Sequence, residues 1–203
     1  MKVGAVVLAA GLSSRFGGNK LLAPMGGRPL LGHVLTALCA AEGIARRAAV
    51  VSDERVAQVV REYGVQVIDN RKPERGQAHS IVLAAQAMRD MDALLLMAGD
   101  QPLLRADTLT RLIRAFEESG KGIACLEDDT HRGNPAVFSA AYRERLLLLT
   151  GDRGAGGLLR AYEADLTVVR CTDADELADA DTPQALAQIQ NRHAAGGNTG
   201  EKP

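Results

Sequence analysis

The chain has 203 residues, 46 % of them hydrophobic, so one well-cored domain is expected without disulfides or a structural metal. Its 24 basic and 25 acidic residues leave a net charge of −1, which argues against a non-specific nucleic-acid binder and its usual basic excess. No apolar run reaches the ~18 residues that span a bilayer, so no membrane contact is expected.

The cysteines suggest the cellular compartment of the protein, and the two chain ends suggest the bounds of its domain. Cys39, Cys125 and Cys171 are far apart without paired spacing, which favours buried, reduced thiols and a cytoplasmic location. The N-terminal stretch MKVGAVVLAAG is compatible with a weak signal peptide, but it runs directly into a loop of glycines and cations. We therefore interpret it as a first strand. The small, polar C-terminal residues predict a disordered tail over 193–203 behind one domain over 1–192.

Strand-like and helical segments alternate in the first half of the chain. Residues 3–10 form an apolar run of the kind that is buried on both faces of a sheet. Pro29 opens a helix at the position that proline favours, and Ser52 or Asp53 caps the next one. We predict strands over 3–10, 48–51, 65–69 and 93–98, and helices from 29 to Gly43, from 53 to Gly64 and from about 79 to 91.

The second half continues the alternation. Leu109, Leu112, Ile113 and Phe116 recur at helical spacing, and Thr182 with Pro183 begins a last helix. We also predict strands over 123–126, 135–138 and 166–171, and helices over 142–149 and 155–164. The pattern indicates an α/β fold, a mostly parallel (mixed) sheet with helices on both faces. Ligands bind beyond the carboxyl ends of strands in such sheets.

The loop after the first strand, GLSSRFGGNK over residues 11–20, combines glycines with the cations Arg15 and Lys20. It is neither a Walker loop nor a G-x-G-x-x-G fingerprint. Glycines let backbone N–H groups approach a phosphate, and the two cations would neutralise its remaining charge. A phosphate cradle and a plain turn with a solvated basic rim both fit this loop taken alone.

Acidic residues follow a central strand and precede the last helix. Asp100, in AGDQP, is well placed to hold Mg²⁺ while substrate phosphates fill other positions, and its alternative role is to cap the next helix. Asp179 and Asp181, in LADADTPQAL, could instead favour the dipole of the last helix. Asp181 is the preferred second ligand because a divalent metal usually needs a further protein carboxylate.

The stretches LAAGLSSRFGGNKLLAPMGGRPLL, GDQP, RGNPAVFS, TGDRGAGGLL and DADTP together resemble the nucleotidyltransferases of the molybdenum cofactor, and among them the cytidylyltransferases. The resemblance extends to about residue 192 and implies a Rossmann-like fold of glycosyltransferase-A type. It further implies transfer of CMP from CTP to molybdopterin with Mg²⁺ as cofactor and Mn²⁺ as its alternative. The recipient molybdoenzyme would be a further partner, and no nucleic acid or membrane is expected to bind.

The resemblance also implies roles for individual residues. The expected catalytic residues are Arg15, Lys20 and Asp100, and the expected metal ligands are Asp100 and Asp181. The expected nucleotide-binding residues are Leu8, Ala9, Ala10, Gly11, Arg15, Lys20, Gly76, Ser80 and Asp100. The expected acceptor-binding residues are Arg132, Gly133, Asn134, Pro135 and Gly154.

Departures from the family pattern leave some alternatives open. Gly156 stands where relatives commonly have an arginine, so acceptor binding is either weaker or supplied by Arg132 or Arg153. The stretch GQAHS replaces the GPLAG type of GMP-transferring relatives, which favours CTP. Transfer of GMP to the same acceptor, CMP transfer to another small phosphate and a non-catalytic cofactor carrier remain as alternatives. The cations and carboxylates together weigh against the carrier.

Overall fold

The computed structural model describes residues 1–11, 16–129, 132–152, 154–171 and 173–196. Its strands are β1 (Val3–Ala9), β2 (Pro24–Met25), β3 (Arg28–Pro29), β4 (Ile44–Val51), β5 (Gln66–Asp69), β6 (Ala93–Ala98), β7 (Ile123–Glu127), β8 (Arg132–Ser139) and β9 (Leu166–Arg170). Its α-helices are α1 (Leu30–Ala40), α2 (Glu54–Glu62), α3 (Gln77–Ala87), α4 (Ala106–Ser119), α5 (Arg143–Leu147), α6 (Gly156–Ala161) and α7 (Pro183–Gly196). No described helix is long and apolar enough to cross a bilayer.

Within the described residues, seven strands form one sheet in the order β5-β4-β1-β6-β8-β7-β9. β1 lies inside the sheet and pairs in parallel with both β4 and β6, while β5 extends the parallel part beyond β4. β8 runs antiparallel to both β6 and β7, and β9 pairs in parallel with β7. The predicted α/β fold with a mostly parallel, mixed sheet is confirmed.

Alternate residues of β1 divide the core between the two faces of the sheet, as the period of a strand requires. Val3, Ala5 and Val7 pack with side chains of α1, α2, α4 and α7 on one face. Val6 packs on the other face with side chains of α3, α5 and α6. Both faces are therefore covered, and the sheet edge at the carboxyl ends of β1 and β6 is left for the site.

Several element boundaries differ from the predicted ones, including those of β4, β8 and α3. β4 begins at Ile44 rather than at residue 48, because the ladder with β1 continues through Arg46, which pairs with Gly4. The neighbouring Arg47 donates from Nε to the Leu38 carbonyl at 3.0 Å at the end of α1, while Arg46 pairs with Asp90, so neither cation breaks the strand. α7 extends to Gly196, past residue 192, and residues 197–203 of the predicted tail lie outside the described residues. Of the three cysteines predicted to be buried, Cys125 and Cys171 are buried and Cys39 is exposed.

Candidate active site

The carboxyl ends of β1 and β6 bring two distant loops together. Leu8 and Ala98 are register partners, and Gly99 N–H donates to the Leu8 carbonyl at 3.1 Å. A Cβ on Gly99 would lie 3.2 Å from that carbonyl oxygen, so the absence of a side chain permits the close approach. Asp100 is thereby placed beside the loop that follows β1.

A cavity of about 320 Å³ opens at this edge of the sheet. Most of the predicted nucleotide-binding residues line it, namely Leu8, Ala10, Gly11, Lys20, Gly76, Ser80 and Asp100. Ala9 does not, because its side chain is buried in the core on the opposite face of the sheet. Arg15 lies outside the described residues.

Lys20 connects the two predicted metal ligands. Its Nζ lies 2.5 Å from Oδ2 of Asp100 and 2.7 Å from Oδ1 of Asp181. Burial of the ammonium opposes its charged form, but the charge and hydrogen bond of Asp100, followed by those of Asp181, outweigh this effect and raise the pKa of Lys20 above 10.5. The lysine is therefore a cation at neutral pH.

Asn19 fixes the turn that presents this lysine. Its Oδ1 accepts from the N–H of Leu21 at 3.1 Å and so caps the short 3₁₀ turn Lys20–Leu22. Its Nδ2 donates to Oδ2 of Asp53 at 3.1 Å, and Asp53 also caps α2. The hydrogen bond from the Arg55 side chain is the main reason that the pKa of Asp53 lies below its ordinary value. Asn19, at the end of the glycine loop, is thus tied to the start of α2.

The structure excludes the helix-capping alternative for Asp100 and gives Asp181 a side-chain partner. α4 starts after Arg105 without a side-chain cap, so Asp100 does not cap that helix. Thr182 accepts from the N–H of Ala185 at 3.1 Å and so caps α7 itself, which leaves the Asp181 carboxylate for Lys20. The backbone N–H of Ala180 donates to the Asp100 carbonyl at 2.9 Å, which holds the two acidic segments together.

The donor set of the site fits a divalent cation. One ammonium already contacts both carboxylates, so a single metal ion between Asp100 and Asp181 is sterically reasonable. Two carboxylates combined with phosphate oxygens are a set that Mg²⁺ accepts. In the described parts of the chain, no group of three or more His, Cys, Asp or Glu side chains comes together as a metal site. The remaining ligands would have to come from substrate and water.

Gly76 and Ser80 lie on the wall of the same cavity. Gly76 precedes α3 with a φ of +81°, and a Cβ there would fall 2.6 Å from the Gly151 carbonyl oxygen. Ser80 is buried, and its Oγ accepts from Nδ2 of Asn70 at 3.0 Å. The cavity wall therefore requires a glycine at position 76, and Asn70 fixes the serine hydroxyl.

A second cavity, of about 200 Å³, adjoins the first. Of the predicted acceptor-binding residues, Arg132, Gly133, Asn134 and Gly154 line it, whereas Pro135 does not. Its other walls are largely apolar. β8 and the segment that carries Gly154 thus bring together most of the residues that the sequence assigned to the acceptor.

Two of these polar side chains are partly engaged within the protein. Nη1 of Arg132 lies 3.1 Å from Oε1 of Glu163, and this hydrogen bond is the main reason that the pKa of Arg132 is raised. The Asn134 amide, with its nitrogen toward the Leu96 carbonyl at 3.2 Å and its oxygen toward Ala98 N–H at 2.9 Å, secures β8 to β6. Arg132 must therefore exchange Glu163 for a ligand in order to bind an acceptor.

Gly156 also lines the second cavity, and a Cβ there would meet nothing within 4 Å. The space that a relative's arginine would enter is therefore open. Arg153, the other predicted substitute, lies outside the described residues.

The sequence predictions missed Gln77 and Asp152, which line the first cavity. Both residues lie inside motifs named above, GQAHS and TGDRGAGGLL, but a glutamine or an aspartate in a loop does not by itself indicate that its side chain lines a cavity.

The chain matches the MobA-like NTP transferase domain over residues 5–168. It belongs to this family. It is 31 % identical over 166 residues to a protein of Pyrococcus horikoshii named probable molybdenum cofactor guanylyltransferase, covering 81 % of each chain. Over 147 residues it is 30 % identical to the bifunctional protein GlmU of Koribacter versatilis, with 70 % of this chain matched. The chain spans 31 % of that GlmU protein.

Solved structures show the same fold. A homologue of Rv0371c from Mycobacterium sp. strain JC1 superposes with a TM-score of 0.80 at 26 % identity, covering 96 % of this chain and 99 % of that one. CMP:2-keto-3-deoxy-manno-octonic acid synthetase in complex with CTP superposes with a TM-score of 0.74 at 18 % identity, covering 97 % and 100 %. This MobA-like chain therefore has the NTP transferase domain and its fold, and its activity, nucleotide and acceptor stay predictions.

Proposed function

We propose that this chain transfers CMP from CTP to the terminal phosphate of molybdopterin, giving molybdopterin cytosine dinucleotide and pyrophosphate. The observation that carries the proposal is the contact of Lys20 with Asp100 and Asp181 beside two adjoining cavities. One cavity would take the nucleotide and the other the acceptor. The motif resemblance supplies the chemical identity of both substrates.

The proposed reaction is an in-line displacement at phosphorus. An oxygen of the acceptor phosphate forms a bond to the α-phosphorus of CTP while the bond from that phosphorus to its leaving oxygen breaks. The electron pair leaves with pyrophosphate. A phosphate nucleophile is already anionic, so no strong protein base and no covalent enzyme intermediate are needed.

The residues of this chain contribute position and charge. The Lys20 ammonium would stabilise the charge that builds on the departing pyrophosphate, and Arg15 would act with it from the same loop. Asp100 and Asp181 would hold Mg²⁺, which when bound neutralises phosphate oxygens. Gly76 and Ser80 would meet the base and ribose in the first cavity. The lysine must leave its carboxylate partners to do this, so nucleotide binding would rearrange the cluster.

Transfer of GMP to the same acceptor is a second candidate, because the Pyrococcus relative carries that name. The GQAHS stretch favours the pyrimidine. A purine would have to displace this wall or leave its polar groups unpaired, at roughly 1–3 kcal/mol for each such group. CMP transfer to another small phosphate would keep the same machinery. The assembled cluster counts against a non-catalytic carrier.

The decisive experiment is a product assay with each of the four nucleoside triphosphates, Mg²⁺ and molybdopterin, analysed by mass spectrometry. The proposal expects the cytosine dinucleotide to dominate when CTP and GTP compete at equal concentration. Dominant GMP transfer would overturn the assignment as a cytidylyltransferase but would still support nucleotidyl transfer as the reaction. Replacing molybdopterin with other small phosphate monoesters tests the acceptor separately, and equal turnover of those compounds would contradict the molybdopterin assignment.

A further inference from the structure

One polar side chain belongs to the walls of both cavities. Leu8 and Gln77 each line the nucleotide cavity and the adjoining acceptor cavity. Leu8 is apolar and offers no hydrogen bond there from its side chain. Gln77 is exposed, and its amide can both donate and accept. Any hydrogen bond from a side chain common to the two cavities must therefore come from Gln77.

The backbone around Gln77 is fixed on both sides. It is the first residue of α3, directly after Gly76 with its φ of +81°. The N–H of the next residue, Ala78, donates to the Gly151 carbonyl at 3.1 Å. The start of α3 is therefore held against the segment that carries Gly154, and the glutamine side chain leaves the helix at a defined point.

The amide of Gln77 lies against Gly154 and is not used by the protein. A Cβ built on Gly154 would fall 2.6 Å from Oε1 of Gln77, so the missing side chain makes room for the amide. In the part of the chain that the structure describes, the Gln77 side chain makes no hydrogen bond. Polar groups that line a cavity and lack a protein partner are available to a ligand.

We propose that Gln77 binds the phosphate monoester of the acceptor through its amide N–H and holds it at the boundary with the nucleotide. This inference rests on the proposed nucleotidyl transfer and adds the residue that aligns its two substrates. A neutral donor suits this place because it orients the attacking phosphate oxygen without withdrawing its negative charge. Holding the two reactants in register is a large part of such catalysis.

The first test replaces Gln77 with leucine, which keeps a branched side chain and removes the amide. Losing a hydrogen bond to a charged phosphate should lower kcat/KM for the acceptor by about 10- to 100-fold. The affinity for CTP, measured by calorimetry, should stay within about twofold of the wild type. Gln58→Leu is the matched control, because Gln58 donates to Glu62 on the exposed face of α2 and should change neither quantity.

The second test uses the contact with Gly154. Gly154→Ala should displace the amide and reproduce part of the loss, since its backbone is outside the region that favours glycine and the neighbour is the far end of a flexible side chain. In a Gln77→Ala background the obstructing contact is gone, so adding Gly154→Ala should then cost little. A double-mutant cycle measures this coupling directly.

The outcomes separate the inference from the proposed function. If the wild type transfers no nucleotide to molybdopterin, the proposed function fails and this inference falls with it. If the wild type is active and Gln77→Leu retains full acceptor kcat/KM, only the inference is overturned. An equal loss of CTP affinity would also overturn it, because Gln77 would then serve the nucleotide. If the losses of kcat/KM from the Gln77 and Gly154 variants simply added in the double variant, the contact between these two residues would not position the acceptor, and the inference would be contradicted.

Discussion

Lys20 and Asp100 lie 80 residues apart in the chain, yet Nζ of the lysine is 2.5 Å from Oδ2 of the aspartate. The same ammonium reaches Asp181 at 2.7 Å. A cation of the protein therefore lies between the two carboxylates proposed to hold the metal. It would compete with a metal ion for them in the free protein and is proposed to assist the leaving phosphates during turnover.

Lys20→Met should have two opposite effects. The rate should fall by ~10²–10³, because the group proposed to stabilise the leaving pyrophosphate is removed without any change of core volume. Mn²⁺ binding to the nucleotide-free protein should become tighter, because the two carboxylates lose their competing cation. Electron paramagnetic resonance titration measures the second effect without turnover. Lys2→Met, at an exposed position, is the control, and weaker Mn²⁺ binding after Lys20→Met would contradict this view of the cluster.

Asp100→Asn and Asp181→Asn should each raise the Mg²⁺ concentration needed for half-maximal activity, since each withdraws one charge from the cluster and keeps the side-chain shape. Asp179→Asn should have a smaller effect, acting through neighbouring groups or the start of α7. Titration of Mg²⁺ against activity separates the three variants. Equal effects at positions 179 and 181 would mean that both bind metal or that the second ligand is wrongly assigned.

Gly76→Ala should destabilise the fold around the nucleotide cavity. An alanine at a φ of +81° costs ~1–3 kcal/mol of backbone strain, and its Cβ would collide with the Gly151 carbonyl, 2.6 Å away. Urea unfolding should show the loss, and CTP affinity should fall as well. Gly157→Ala is the control, because a Cβ at that position meets nothing within 4 Å. Wild-type stability of Gly76→Ala would refute the argument.

Tyr142 should make the free energy of unfolding depend on pH in the alkaline range. Its hydroxyl donates to Oδ2 of Asp165 at 2.7 Å, and burial, followed by this carboxylate, raises the pKa of Tyr142 from 10 to about 12. Because the folded-state pKa is the higher one, this contribution to stability is complete below pH 10 and is lost as pH rises through 12.

Tyr142→Phe should therefore lower the free energy of unfolding near neutral pH by ~1 kcal/mol or more and should flatten its decline between pH 10 and 12. Tyr63→Phe, which removes a different tyrosine hydroxyl, serves as the control for the substitution itself. Urea unfolding at a series of pH values makes the comparison. A decline of wild-type steepness in Tyr142→Phe would show that other groups cause the alkaline loss.

The sequence alone determined the alternating α/β pattern and the candidates Lys20, Asp100 and Asp181. Apolar strand runs and helix spacing are local signals, and a parallel sheet collects the loops after its strands at one edge. For that reason three residues from three remote motifs could be assigned to one site before any coordinates. The motif resemblance added proposed substrates, which no periodicity could supply.

Only the tertiary structure decided which side chains face which cavity. Gln77 reaches the boundary of the two cavities because Gly76 turns the backbone and Gly154 leaves space, and these contacts join segments far apart in the chain. Likewise Arg132 is engaged by Glu163, and β4 begins at Ile44 because of its ladder with β1. Such partners are set by long-range packing and strand pairing, which local sequence patterns do not encode.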